Sequence, residues 1–96
     1  MKPTKYDKGK APFTWIAPFR FVLGDVAKVF ATSKYAHKKD NWKYVENGEQ
    51  RYVDAALRHL LAYADDEKTD PESGFSHLVH VICNCLMADM RRRLKR

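Results

Sequence analysis

Only two cysteines occur in the 96 residues, Cys83 and Cys85. Two positions apart on a helix, they point about 200° away from each other, which excludes a local disulfide and a zinc knuckle and suits a reducing compartment. No apolar run approaches the roughly 20 residues of a membrane span. The start, Met1-Lys2-Pro3-Thr4-Lys5, is positive but has no apolar stretch or small-residue cleavage site behind it, so no secretory signal is read and the expected location is the cytoplasm. There is no Walker loop, no G-x-G-x-x-G, no C-x-x-C pair and no G-x-S-x-G, which removes the common phosphate-loop, dinucleotide, thiol-redox and serine-hydrolase readings. Repeats, low-complexity segments and convincing strand patterns are also missing. What remains is helical periodicity, and the expected fold class is all-α.

The net charge of +6 suggests nucleic acid until its position is considered. Arg91, Arg92, Arg93, Lys95 and Arg96 supply five of those charges. Cations there complement the negative end of the preceding helix, so a solubilising helix-ending tail over residues 91–96 is favoured over nucleic-acid contacts. One domain is expected over residues 1–96. Its core is barely large enough to stand alone, so a homo-oligomer, dimer or tetramer, is expected to complete a helical bundle.

Residues 1–17 form an extended arm containing Lys10, which can reach a phosphate beside the flexible Gly9, and Phe13, Trp15 and Ile16, which are expected to bury aromatic area. Pro18 opens a helix with apolar residues at Phe19, Val22, Leu23, Val26, Val29 and Phe30, ending between Lys34 and His37. Gly24 is expected to mark a close helix crossing. The connection that follows carries Trp42, either a satellite core residue or a stacking surface for a planar ligand. Asn47 and Gln50 have capping-box spacing, and the helix they open runs to about Asp65. Its apolar arc, Val53, Ala56, Leu57, Leu60, Leu61 and Ala64, is bordered by Asp54 with Arg51 and Arg58 on one side and His59 on the other.

The third helix is the unusual one. Asp70 and Pro71 give a strong start signal, as N-cap and first helical residue, and Glu72 faces the positive end of the dipole. Phe75, Leu78, Val79, Ile82, Leu86 and Met90 share one face, whereas Ser73, His77, His80 and Asn84 share a narrow stripe with no Lys, Arg or Glu. A solvated face normally carries long charged residues, so this stripe is expected to be covered. The four residues then either satisfy one another in a packed core or form a ligand or metal site. With the second and third helices antiparallel, Asp54 and Glu72 are candidate carboxylates for Mg²⁺, which proteins hold through one or two carboxylates plus substrate phosphates. Arg51, Arg58, Lys10 and Lys34 would neutralise the remaining phosphate charge. That combination points to phosphoanhydride hydrolysis.

The blocks Tyr6-Asp7-x-Gly9-Lys10-x-Pro12, Lys34-Tyr35 followed by Asn41-Trp42, Arg51-Tyr52-x-Asp54-Ala55-x-x-Arg58-His59-Leu60, and Asp70-x-Glu72-Ser73-Gly74-x-x-His77-Leu78-x-His80-x-x-x-Asn84 together resemble the N-terminal domain of dATP/dGTP diphosphohydrolases, a family of small phage proteins. The resemblance covers nearly the whole chain. It implies an all-α relative of the MazG-type nucleotide pyrophosphohydrolases, cleaving a deoxynucleoside triphosphate to monophosphate and pyrophosphate with a divalent metal, in the host cytoplasm if phage-encoded. The E-x-x-E and E-x-x-D helical pairs of MazG enzymes are absent. His77 and His80 are therefore read as binding base or phosphate, as general base, or as a sign of Mn²⁺ or Co²⁺ in place of Mg²⁺.

The expected function is metal-dependent hydrolysis of purine deoxynucleoside triphosphates. Glu72, His77 and His80 are the expected catalytic residues, Asp54 and Glu72 the metal carboxylates, and Lys10, Lys34, Trp42, Arg51, Arg58, His59 and Asn84 the substrate contacts. The alternative is a non-catalytic phage-encoded module that captures a nucleotide or binds a host protein.

Overall fold

The computed structural model describes residues 3–32 and 40–95. Among them the regular elements are all helical: a 3₁₀ segment over Phe13–Phe19, α1 over Arg20–Ala31, a 3₁₀ turn over Asn41–Lys43, α2 over Gly48–Ala64 and α3 over His77–Leu94. No strand is present among the described residues; Thr69 and Ser76 make one isolated bridge. The all-α expectation and the number of helices hold.

α3 is the centre of the molecule. Val26 and Val29 of α1, Tyr52 of α2 and Val79, Cys83, Met87 and Ala88 of α3 form the buried core, with Phe30, Trp42, Val45, Phe75 and Ile82 packed around it. Lys95 reaches Glu49 at one end of the α2–α3 pair, while His59 meets His77 at the other, so the two helices run antiparallel. Of the two thiols, Cys83 is buried and Cys85 is exposed, so only one belongs to the core.

Several helix ends differ from the sequence signals. Pro18 lies inside the first 3₁₀ segment, and α1 begins at Arg20. α1 ends at Ala31, where Thr32 turns extended and its N–H bonds to the Val29 carbonyl. Nothing lies within 4 Å of a Cβ built on Gly24, so no close helix crossing occurs there. Asn47 takes a left-handed backbone conformation and makes no side-chain cap bond; Gln50 instead donates to Asp54. The largest difference concerns α3, which starts at His77, six residues after Pro71. Asp70 caps a turn, accepting the Glu72 N–H through Oδ1 at 2.9 Å, and Gly74 at φ 81° carries the chain through a conformation that disfavours other residues. Ser76 is the N-cap, accepting the Leu78 N–H.

The arm does not bury these residues against its own chain: Phe13, Trp15 and Ile16 are 75%, 79% and 46% exposed. The basic segment is partly structural. α3 continues to Leu94, Arg92 and Arg93 pair with Asp89, and Lys95 pairs with Glu49. Arg91 Nη1 turns inward to the carbonyl oxygens of Trp42 and Val45, at 3.0 and 2.7 Å. Its guanidinium passes over Gly48 where a Cβ would stand, so this close approach requires glycine.

Candidate functional site

Where α2 ends and α3 begins, three imidazoles meet. His59 and His80 stack with ring centroids 4.5 Å apart and planes 11° from parallel. His59 Nδ1 lies 2.8 Å from His77 Nδ1, and His77 Nε2 lies 2.7 Å from Glu67 Oε1. A carboxylate only accepts, so His77 donates its Nε2–H to Glu67; in the neutral ring Nδ1 is then an acceptor, and His59 donates its Nδ1–H. Ser73 Oγ accepts the Phe75 N–H at 3.1 Å and shares a proton with His80 Nε2 at 2.6 Å, the donor depending on the imidazole tautomer. Asp70 Oδ2 faces the same His80 nitrogen at 3.7 Å.

The part of the polar stripe that lies on α3 is buried or half-buried, as its lack of long charged residues implied, whereas Ser73 precedes α3 and is exposed. His77 and Asn84 are 5% and 6% exposed, and among the described residues no buried side-chain nitrogen or oxygen lacks a partner. Burial holds His59 below the usual histidine range, and His80 beside it adds to the effect against the pull of Asp70. Burial likewise lowers His80, opposed by Asp70 and Glu72. Both rings are therefore neutral, with lone pairs available, near neutral pH.

Two clefts flank the α2–α3 seam. One, of about 400 Å³, is polar and is lined by Asn41, Val45, Arg51, Tyr52, Asp54, Ala55, Arg58 and Asn84. The other, of about 380 Å³, is mostly apolar, with Val53, Leu57, Leu60, Val81 and Ala88 in its wall. Asn84 borders both and ties the first to the imidazole cluster by donating Nδ2–H to the His80 carbonyl at 2.8 Å. In the polar cleft Arg58 makes no hydrogen bond or ion pair with any described residue, and Arg51 makes only a long bond to the Glu46 carbonyl, at 3.4 Å. Among the described residues neither arginine pairs with Asp54. Two guanidinium groups beside one carboxylate in a concave polar wall suit an anion that brings a cation with it.

A family model described as dATP/dGTP diphosphohydrolase, N-terminal, matches residues 2–95. The chain belongs to this family. A curated relative, a dATP/dGTP diphosphohydrolase of Salmonella phage PMBT28, is 35% identical over 80 residues, which make up 83% of this chain and 26% of the relative. The chain thus spans about a quarter of the length of that protein. No solved structure matches.

In this family member the residues singled out from sequence fall into three places. Arg51, Asp54, Arg58 and Asn84 meet at the polar cleft. His59, His77 and His80 meet at the imidazole cluster, where Glu72 acts electrostatically on His80. Trp42 is half-buried against the core, and its carbonyl accepts from Tyr52 and Arg91. Lys10 is exposed on the arm, where its N–H closes a turn onto the Asp7 carbonyl, and it lines neither cleft. Lys34 lies outside the described residues. Among the described residues, the group close enough to share an ion is His59, Asp70 and His77, one ligand atom from each falling within 4.8 Å of the others; Asp54 and Glu72 do not share such a group. From sequence alone Asp70 reads as a helix cap, and nothing singles out Glu67. The usable signal was the stripe itself: two histidines in a covered face require acceptors, and the acids shortly before them in the chain are Glu67, Asp70 and Glu72.

Proposed function

We propose that this chain binds a purine deoxynucleoside triphosphate in the polar cleft between α2 and α3 and hydrolyses it to the monophosphate and pyrophosphate. The observation that carries the reading is the guanidinium of Arg58, without a partner among the described residues, beside Arg51, Asp54 and Asn84 in a cleft of about 400 Å³, in a chain related to a phage protein named dATP/dGTP diphosphohydrolase. Arg51 and Arg58 bind the phosphate oxygens and offset charge as it develops in the transition state. Asp54, whose Oδ1 accepts from Gln50, would hold Mg²⁺ through its carboxylate together with the substrate's phosphates. A divalent cation there supplies charge neutralisation at the phosphates. Glu72 and His80, on the neighbouring imidazole side, are the groups to take the proton of the attacking water, with His77 orienting the cluster through its bond to Glu67, and such general-base help contributes roughly 10²–10⁴-fold in rate. Water adds to the α-phosphorus, and the bond from that phosphorus to the bridging oxygen breaks with pyrophosphate as leaving group.

Two further features belong to the proposal. The exposed apolar residues of the arm, α1 and α2, including Trp15, Phe21, Leu57 and Leu61, pair between copies of the chain to complete a helical bundle in the cytoplasm. A capture module that holds the nucleotide without cleaving it is the second reading, favoured by Asp54 and Glu72 not sharing an ion-holding group among the described residues.

Pyrophosphate release from dGTP and dATP, measured with Mg²⁺, Mn²⁺ or Co²⁺, tests the proposal. Metal-dependent release that Glu72→Gln removes without loss of fold supports it. Tight binding of dGTP with no release under any of the three ions overturns hydrolysis in favour of capture.

A further inference from the structure

We propose that His59, Asp70 and His77 hold a six-coordinate divalent ion of the first transition row, bound by the protein alone and separate from any cation that arrives with a nucleotide. The three side chains come from three different elements, the last part of α2, the turn between the helices and the first residue of α3. One ligand atom from each lies within 4.8 Å of the others.

The atoms in question follow from what the remaining ones already do. Asp70 Oδ1 accepts the Glu72 N–H, which leaves Oδ2 for an ion. His77 Nε2 is committed to Glu67 Oε1 at 2.7 Å, which leaves Nδ1. Metal-bound imidazoles characteristically donate their other N–H to a carboxylate, which fixes the ring and raises its basicity, and the Glu67–His77 pair has that form. His59 presents Nδ1 to the same point, 2.8 Å from His77 Nδ1. At ordinary metal–nitrogen lengths of about 2.1 Å, that separation subtends an angle of roughly 85° at the ion. Such an angle is a cis angle of an octahedron and lies well below that of a tetrahedral structural zinc site. On binding, the proton that His59 shares with His77 moves to His59 Nε2 by tautomerisation, so neutral rings take up the ion without net proton release.

The surroundings fix the ligands in place. The turn bearing Asp70 is closed by Gly74 N–H to the Asp70 carbonyl at 2.8 Å, Asp70 N–H to the Phe75 carbonyl at 2.9 Å and His77 N–H to the Lys68 carbonyl at 3.0 Å. His80 stacks on His59 and is itself anchored by Ser73. Two nitrogens and one carboxylate oxygen favour imidazole-seeking ions over Mg²⁺, which takes oxygen ligands and keeps its waters. Three positions of the octahedron remain for water or an anionic oxygen.

The test is titration of untagged protein with CoCl₂ after EDTA treatment, without nucleotide, followed by calorimetry and by visible absorbance. One Co²⁺ per chain is expected, with the weak d–d bands of a six-coordinate ion, displaced by Ni²⁺ and unaffected by a large excess of Mg²⁺. Glu67→Gln, at a largely exposed carboxylate, should keep the fold and weaken binding by about 10–100-fold. Asp70→Asn and His59→Gln should weaken it further, with helicity checked by circular dichroism; because these two side chains are only partly buried, the pair stays informative if His77 variants fail to fold. Absence of stoichiometric Co²⁺ binding to the wild type overturns the proposal, and so does binding that all three variants retain at full strength. Co²⁺ binding in a protein inert toward dGTP leaves this proposal standing and removes the nucleotide reading, whereas dGTP turnover with no Co²⁺ site does the reverse.

Discussion

The two ends of the α2–α3 pair bury polar groups in opposite ways. At one end Arg91 sends a permanently charged guanidinium to two backbone carbonyls, those of Trp42 and Val45, over a glycine that leaves room for it. Nothing in that arrangement can titrate or exchange, and it ties the 3₁₀ turn to α3. At the other end three histidines, Glu67, Asp70 and Ser73 satisfy one another through bonds whose donor and acceptor roles depend on where protons sit. The same helices thus carry a fixed fastening at one end and an adjustable polar cluster at the other. The teaching is that complete satisfaction of buried polar atoms does not separate scaffold from site. What separates them is whether the partners have alternative protonation states and a cleft beside them.

The largest effect is expected at the fixed end. Arg91→Ala removes two charge-assisted hydrogen bonds and leaves the Val45 carbonyl without the donor it has now. Bonds to charged groups contribute about 1.5–3 kcal/mol each, less where water can replace them, so a loss of about 2–4 kcal/mol is expected. In a domain of this size that corresponds to a Tm lower by roughly 10 °C or more. Thermal denaturation followed by circular dichroism measures it. A change of only a few degrees would show that this end is no fastening and would erase the contrast between the two.

How much of this was legible in the sequence follows the same division. The bounds of α2, the amphipathic stripe of α1 and the covered polar face of α3 come through because hydrophobic periodicity is set by burial, and these helices are packed on one side. The turn from Asp70 to Ser76 did not come through. Two start signals compete there, Asp70-Pro71 and Ser76, and local chemistry favours the first; Gly74 at φ 81° breaks any helix begun at Pro71 and hands the start to the second. Arg91 was hidden for a different reason. In a run of basic residues one inward-pointing member looks like its solvated neighbours, and only the approach of Gly48, 43 positions away in the chain, distinguishes it. The clustering of His59 with His77 and His80 likewise depends on helix register, which periodicity alone leaves open. Arg51, Asp54 and Arg58 were legible as a set because they are neighbours on one helix face.

The second prediction concerns the adjustable end. His59 and His80 have folded-state values below the ordinary 6.5, chiefly through burial, with Asp70 and Glu72 opposing the shift and Arg58 and the other imidazoles facing them. As pH falls below 6.5 the unfolded chain takes up protons that the folded chain resists, so unfolding gains protons and stability rises with pH in this window. The contribution is fully present above about pH 6.5 and is lost as pH drops through the lowered folded values. In EDTA, a Tm at about pH 5.5 lower than at pH 7.5 is expected, by less than the Arg91→Ala effect. His80→Phe should flatten that slope. A slope unchanged by the substitution would assign the pH dependence to groups outside the cluster.

The smallest stability effect is expected between the two ends, at Arg58. Its guanidinium lines the polar cleft and has no partner among the described residues, so Arg58→Ala removes no fastening. Surface substitutions of that kind shift stability by no more than about 0.5 kcal/mol in either direction, and a slight gain is the expected sign because the like charge of Arg51 lies in the same cleft. Binding of dGTP should respond in the opposite proportion. Loss of one charge-assisted contact to phosphate, about 1.5–3 kcal/mol, weakens binding by roughly tenfold or more, and calorimetry on the folded variant reads it directly. A stable Arg58→Ala protein with unchanged dGTP affinity would take the phosphate out of this cleft. A strongly destabilised one would make Arg58 a second fastening like Arg91, and leave the imidazole cluster as the only part of the seam not committed to holding the helices together.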